Sequence, residues 1–213
     1  MRYFSTRGDD GQTSYGRGVH LSKADVRIEF TGALDEAQAV LGLAVTTAKS
    51  ESAKYARVAK NIALSAAEYD QASPAVASFE KRAASLDEVY HCLVWMQRAI
   101  MHGGMVVMNL ANETLTKEWS WDEQLREVEK QCELFAPQKV LTSFILPGGS
   151  ELAARIDLVR TTIRRLERVY CQAYSEDEHA ALDALPFFNR LSSLCFILAR
   201  YSNEVLEDPE LSL

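Results

Sequence analysis

The sequence predicts an all-α protein: five antiparallel helices in a bundle, preceded by an irregular glycine-rich N-terminal arm. Three observations carry this expectation. Apolar residues recur at intervals of three and four along most of the chain, no run alternates convincingly with period two, and five of the ten glycines fall within the first 32 residues. At 213 residues, 47% hydrophobic and 25% charged, the chain is long enough for one buried core and too ordinary in composition for disorder. It reads as one unit over residues 1–213, with an arm at 1–31 and a helical bundle at 32–206.

Taken in order, the arm has room for a short extended piece, but its glycines favour an ordered loop. The first helix is expected from about Ala33 to Tyr69, on a stripe of Tyr55, Val58, Ala59, Ile62, Ala63 and Ala66. A second runs from about Val76 to Leu110, with Leu86, Val89, Tyr90, Leu93 and Met96 or Gln97 on one face, and a shorter one covers about Trp121 to Phe135. The clearest follows Pro147, where Leu152, Ile156, Val159, Ile163, Leu166 and Tyr170 keep helical spacing. The last begins after Pro186 with Phe188, Leu191, Cys195, Leu198 and Tyr201. All five prolines fall between these stretches, where helices are expected to stop. The alanine- and serine-rich segment 50–78 reads as an extended helix pair or an insertion.

A net charge of -7 argues against a general nucleic-acid role, which needs a basic field to replace released counterions. Any anion site must therefore be built locally. Cys92, Cys132, Cys171 and Cys195 form no C-x-x-C pair and read as reduced core residues. The four histidines show neither i,i+4 pairing nor a cysteine partner at metal-ligand spacing, so no protein-ligated metal is expected. No stretch is long and apolar enough for a membrane span, and the start lacks a secretory apolar region. A cytoplasmic setting is the expectation.

Two local features stand out against the acidic background. The leader Ser5-Thr6-Arg7-Gly8-Asp9-Asp10-Gly11-Gln12-Thr13-Ser14 combines glycines that turn N–H groups toward an anion with hydroxyls and a charge. It is neither a Walker A motif nor a Rossmann fingerprint, and on composition alone a plain surface loop is the better reading. Lys23, twelve residues after Gly11, is placed to reach the same phosphates. On the helix after Pro147, Arg160, Arg164 and Arg168 share one face, Glu167 borders it and Arg165 points elsewhere. Such a row is either a solvated helix surface or a set of guanidinium forks for phosphate oxygens. Asp35 and Glu36 open the first helix, where the macrodipole favours acids, or else Asp35 orients an arginine of another helix. Asn189 is an N-cap or a ligand. Phe144 is a core residue or the apolar wall of a pocket, and Trp119 and Trp121 are packing.

Taken together, these pieces resemble a known family. Arg-Tyr-Phe-Ser-Thr-Arg-Gly-Asp-Asp-Gly-Gln-Thr at 2–13 is similar to the Y-T-K-T-G-D-x-G-x-T leader of PduO-type ATP:cob(I)alamin adenosyltransferases. The likeness continues, in the family's order, through S-K-A-D-V-R-I-E-F-T-G-A-L-D-E at 22–36, F-I-L-P-G-G-S at 144–150, R-T-T-I-R-R-L-E-R at 160–168 and N-R-L-S-S-L-C-F-I-L-A-R at 189–200. The chain departs from the pattern at Thr6, where the family has lysine, and at Gln38, Leu166 and Ser193, where it has asparagine, alanine and aspartate.

The resemblance implies a five-helix bundle that assembles as a homotrimer with active sites between subunits. It implies transfer of the 5′-deoxyadenosyl group of ATP to the cobalt of a reduced corrinoid (cobalamin as substrate), with Mg2+ required and triphosphate released. By position, Ser5, Thr6, Arg7, Gly8, Thr13, Ser14 and Lys23 would hold the triphosphate with Arg164, Arg165, Glu167, Arg168 and Asn189. Asp35 and Arg160 match a pair whose salt bridge supports the corrinoid site, and Phe144 matches an aromatic that excludes the lower axial ligand. An adenosylcobalamin-dependent enzyme would be the recipient. The alternatives are an ATP- or corrinoid-binding regulatory protein that has lost turnover, and a helical interaction protein whose arginines serve subunit contacts.

Overall fold

The computed structural model describes residues 6–16, 18–67, 74–110, 112–137, 143–174 and 183–212. Asp25 sets where the first helix starts. Its Oδ1 accepts a hydrogen bond from the Arg27 amide (2.9 Å), and its carbonyl accepts from Ile28 and Glu29, the behaviour of an N-cap. Helix α1 then runs Val26–Ala67 and α2 runs Pro74–Val107. A short α3 (Glu113–Glu118) leads to α4 (Trp121–Leu134), α5 (Glu151–Tyr174) and α6 (Leu185–Leu206). The described residues thus hold six helices: the five expected ones and α3.

Helix positions were legible, but some boundaries were not. The arm boundary expected at residue 32 falls inside α1, so Asp35 and Glu36 lie well within a helix rather than at its start. Pro74 and Pro186 lie in the first turns of α2 and α6, where the missing N–H has no helical partner to lose. Prolines there begin helices instead of stopping them. The expected stripe on α1 was its weaker half: among Tyr55, Val58, Ala59, Ile62 and Ala63 only Ala59 is buried, whereas Phe30, Ala33, Leu34, Ala37, Leu41, Ala44 and Ala48 face the core. Segment 50–78 supplies the far ends of α1 and α2, and its residues 68–73 lie outside the described ones.

Contact pairs give the helix directions. Gln38 donates to the Gln97 carbonyl (2.8 Å) and Ser52 to the Ala83 carbonyl (2.9 Å), so α1 and α2 run antiparallel. Ser150 meets Asn203, Asp157 meets Arg200 and Glu167 meets Asn189, so α5 and α6 do too. Helix α1 also packs on α5, and α4 on α6. Between them lies one apolar cluster that includes Leu93, Met96, Ile156, Ile163, Leu166, Leu191 and Leu198. Aromatic edges close one end of it. Phe188 meets Phe30, Tyr170, Phe187 and Trp121 with ring centroids 5.4–6.4 Å apart. Trp119 and Trp121 pack edge-on at 5.2 Å, as expected of packing residues.

The arm is more regular than expected. Residues Gln12–Gly16 (β1) and Val19–Ser22 (β2) form an antiparallel hairpin with Thr13 opposite Leu21 and Ser14 opposite His20, and an irregular register between Ser14 and Gly16. Its inward faces carry few apolar residues, so the alternation that flags a strand is missing. Among the described residues, no helix is long and apolar enough to cross a membrane.

Cys92 and Cys195 are buried, and burial pushes their thiols up, Cys92 to about 12; Cys132 is half-buried against the edge of the core, and Cys171 is exposed, so the core expectation fails for Cys171. Phe144 fails it more plainly, at 85% exposure. Burial separates the outcome of two substitutions. Phe188→Ala should cost about 3–5 kcal/mol in urea unfolding, while Phe144→Ala should stay within about 0.5 kcal/mol of the parent.

Candidate active site

The leader folds into a tight cradle. Gly8 (φ +94°) and Gly11 (φ +82°) adopt left-handed backbone, and Gly11 donates to the Gly8 carbonyl at 3.2 Å while its own carbonyl accepts from Lys23 at 2.8 Å. A Cβ on Gly8 would lie 2.8 Å from the Gln12 carbonyl oxygen and 3.5 Å from Lys23 Nζ, so the ammonium sits directly beside this turn. Thr6 and Arg7 are exposed on the approach. Ser5 lies outside the described residues.

Beyond the cradle, Thr13 and Ser14 line a largely apolar cleft of about 670 Å³ with Asp35, Gln38, Leu34, Met101 and Met108. Sequence order alone did not place Asp35 on the same cleft as the leader. Gln38, at a departure from the family pattern, ties α1 to α2 through Gln97. The hairpin is docked by Tyr15, whose hydroxyl lies 2.8 Å from that of Tyr174 and whose ring carries the Arg27 guanidinium at 5.8 Å. Burial and the Tyr15 hydrogen bond push the Tyr174 phenol well above its ordinary range. Arg27 in turn grips Asp25 with both sides of its fork, at 2.9 and 2.7 Å, and lowers that carboxyl from 3.8 to about 2.

The arginine row lies elsewhere. Arg160 and Arg164 line a groove between α5 and α6 with Ser192, Ser193, Phe196 and Ile197, and this groove shares no lining residue with the leader's cleft. Arg168 donates to the Arg164 carbonyl (2.8 Å), and Asn189 of α6 donates to Glu167 Oε1 (3.1 Å). Residues six apart on a helix are about 120° apart around its axis, so Arg164 and Arg168 point away from the face where Tyr170 and Tyr174 meet α1 and the hairpin. Arg165 is the exception in the row. It is held by Glu36 (2.6 Å) and Glu29 (2.9 Å) of α1, which raise its pKa, so its fork is already occupied by carboxylates rather than open to phosphate.

The Asp35–Arg160 pair does not form within one chain. Arg160 Nε instead donates to Asp157 Oδ1 at 2.8 Å, because Asp157 sits one turn earlier on the same helix, whereas Asp35 is exposed at the leader's cleft. Asp157 is 3% exposed and also accepts from Arg200 Nη2 at 2.6 Å. Arg200 Nε lies 2.7 Å from Glu210 Oε1. Motif reading overlooked Asp157, Arg200 and Asn203, although the i,i+3 spacing of Asp157 and Arg160 was visible and Arg200 closes the last recognised block. Phe144 stands at the head of a loop whose Ile145 bridges Ser212 and whose Leu146 donates to the Leu211 carbonyl (2.8 Å). Among the described residues, no group of three or more His, Cys, Asp or Glu side chains is arranged to hold a metal ion.

The glycine-turn cradle beside Lys23 and the arginine row on another face are two separate sets of donors whose chemistry suits an anion. Residues 3–202 match the profile of the cobalamin adenosyltransferase family, and the chain belongs to that family. A corrinoid adenosyltransferase of Mycobacterium tuberculosis is 27% identical over 209 residues, covering 95% of this chain and 89% of that one. A corrinoid adenosyltransferase of Bacillus subtilis is 29% identical over 206 residues, covering 95% and 87%. A point variant of a PduO-type ATP:corrinoid adenosyltransferase from Lactobacillus reuteri, solved with cobalamin and ATP, has the same fold at a TM-score of 0.70, with 20% identity over 100% of this chain and 99% of that one.

The Asp25 clasp gives a pH-dependent test. A carboxyl whose folded pKa is depressed stabilises the fold above its ordinary value of 3.8, and that contribution is lost as pH falls through about 2. Asp25→Asn is therefore expected to lower Tm at neutral pH, with the two melting profiles converging as pH is lowered across this window.

Proposed function

We propose that this chain transfers the 5′-deoxyadenosyl group of ATP to the cobalt of a reduced corrinoid, cobalamin being the natural candidate, and releases triphosphate. The observation that carries the proposal is that the family match spans the leader, the Phe144 loop, the arginine helix and Asn189 together. Cobalt(I) attacks the ribose 5′ carbon, the carbon–oxygen bond to triphosphate breaks, and its electron pair leaves with the triphosphate. The metal supplies the nucleophile, so the protein needs none. Its task is to hold ATP in line and neutralise the leaving polyanion.

In this reading Thr6, Arg7, Gly8, Thr13, Ser14 and Lys23 take one side of the triphosphate, with Ser5 expected beside them. Arg164, Arg168, Asn189 and Glu167 take the other. Arg165 joins them only by exchanging its carboxylate partners. The cradle and the row occupy separate surfaces of one chain, which supports sites lying between subunits of the homotrimer that the resemblance implies. Across such an interface the exposed Asp35 can meet Arg160 of a second copy. Mg2+ belongs to the proposal as a counter-ion carried on the phosphates. Glu167, which borders the row, already accepts from Asn189, and Asp157 is taken up by Arg160 and Arg200, so both fit a role in ordering the site better than a metal cage. The exposed Phe144 ring would form the apolar wall that keeps a lower ligand off cobalt and makes cobalt(II) easier to reduce. A cytoplasmic setting, supported by four unpaired cysteines, and hand-over of product to an adenosylcobalamin-dependent enzyme complete the proposal.

The test is anaerobic incubation with chemically reduced cobalamin and MgATP, followed by absorbance and phosphate analysis. Adenosylcobalamin and triphosphate in equal amounts are expected; ligand binding without either product would leave only a regulatory role. Arg164→Ala should raise the KM for ATP at least about tenfold through the loss of a charge-assisted contact. An unchanged KM would remove the row from the nucleotide site.

A further inference from the structure

Arg160 and the Phe144 loop lie at the two ends of one chain of charges. Arg160 bonds Asp157, Asp157 bonds Arg200, and Arg200 Nε sits 2.7 Å from Glu210 Oε1. The other Glu210 oxygen accepts from Asn203 Nδ2 at 2.6 Å. Asn203 then clamps the loop from α6: Nδ2 donates to the Gly148 carbonyl (2.9 Å), and Oδ1 accepts from the amide and hydroxyl of Ser150 (2.9 and 2.8 Å). Ser150 is itself the residue whose hydroxyl accepts from the Ala153 amide to start α5.

Two guanidiniums and two carboxylates sum to zero charge. Asp157 is 3% and Arg200 4% exposed, so removing one charge strands its neighbour in a dry setting. Glu210 is the member supplied from outside the helices. The Leu211 side chain beside it is exposed, so this segment is held against the loop by charge and backbone pairing. Gly149 completes the clamp: at φ +80° a Cβ there would lie 2.5 Å from Asn203 Nδ2 and from the Asp208 carbonyl oxygen.

We propose that Arg200 and Glu210 are positioning residues that couple the register of the Phe144 loop to the orientation of Arg160, so that the corrinoid wall and the neighbouring guanidinium are set together. This rests on the reading of Phe144 as a wall of the corrinoid site. The coupling is carried by charge-assisted hydrogen bonds joined through one close ion pair, Arg200 with Glu210, whose Nε–Oε1 approach lacks hydrogen-bond alignment and holds by charge alone.

The experiment compares Glu210→Gln, Glu210→Asp and Phe144→Ala with the parent, all as full chains. KM is measured separately for cobalamin and ATP, and the four-coordinate share of bound cobalt(II) cobalamin is read by electron paramagnetic resonance with MgATP present. Glu210→Gln should raise the cobalamin KM about tenfold, as expected for a coupling residue. The ATP KM should stay within about twofold, and the four-coordinate share should fall as it does in Phe144→Ala. Glu210→Asp, which keeps the charge, should recover most of both. A cooperatively melting Glu210→Gln with parental cobalamin KM, beside a raised KM in Phe144→Ala, overturns the coupling and leaves the Phe144 reading intact. Parental values in Phe144→Ala overturn that reading and the coupling with it. If Glu210→Gln does not melt cooperatively, Arg200→Lys and Glu210→Asp decide. Equal rises in both KM values, or none, would show a purely structural network and overturn the proposal.

Discussion

The Asp157 carboxylate is the constraint on which the functional end of the molecule depends. It is buried where α5 meets α6 and is satisfied by one guanidinium from each helix. A buried carboxylate this close to two arginines is stable only with both in place, so it fixes how α5 is rotated against α6. Arg164 and Arg168, seven and eleven residues further on, fall within about 20° of Asp157 around the helix axis. Locking Asp157 toward Arg200 therefore turns the exposed arginine stripe toward α6, where Asn189 and Ser193 wait. Hydrophobic spacing alone gives α5 a buried face; the ion pairs set the register between its polar edge and its neighbour.

The leader depends on a different device. Asp25 caps α1 and holds Arg27, Arg27 lies over Tyr15, and Tyr15 meets Tyr174 at the end of α5. Through these contacts a short hairpin with little apolar surface of its own is pinned to the bundle. Gly8, Lys23, Thr13 and Ser14 are thereby presented on a fixed support, which lowers the ordering cost when an anion binds. Each charged device thus holds one set of proposed ligand contacts. In the proposed reading neither set completes a site by itself, so assembly would carry a catalytic role beyond stability.

What could be read from sequence follows from what each element buries. Helix α5 has apolar residues on one side and arginines on the other, so its periodicity was plain from Leu152 to Tyr170. The first half of α1 contributes Ala33, Ala37, Ala44 and Ala48 to the core, and alanine marks a buried face too weakly to stand out. The hairpin was missed because its residues are mostly polar or glycine and its register is irregular. Phe144 was ambiguous because an apolar loop residue carries no period; its exposure is decided by the clamp of Asn203 on the following glycines. Asp157, Arg200 and Glu210 are brought together over tens of residues, so no local pattern announces them. The Asp35–Arg160 pairing came from resemblance, and the single chain satisfies Arg160 from within its own helix.

The central claim is that the cradle on one chain and the arginine row on another make one active site. Subunit mixing tests it most directly. Lys23→Ala and Arg164→Ala chains, each expected to be strongly impaired alone when ATP is held well below its raised KM, are combined by reversible subunit exchange and assayed anaerobically for adenosylcobalamin. Shared sites predict that the mixture gains activity well above either variant, because some sites pair an intact cradle with an intact row. A mixture that stays at the level of its separate components, with exchange verified by mass, would contradict the account.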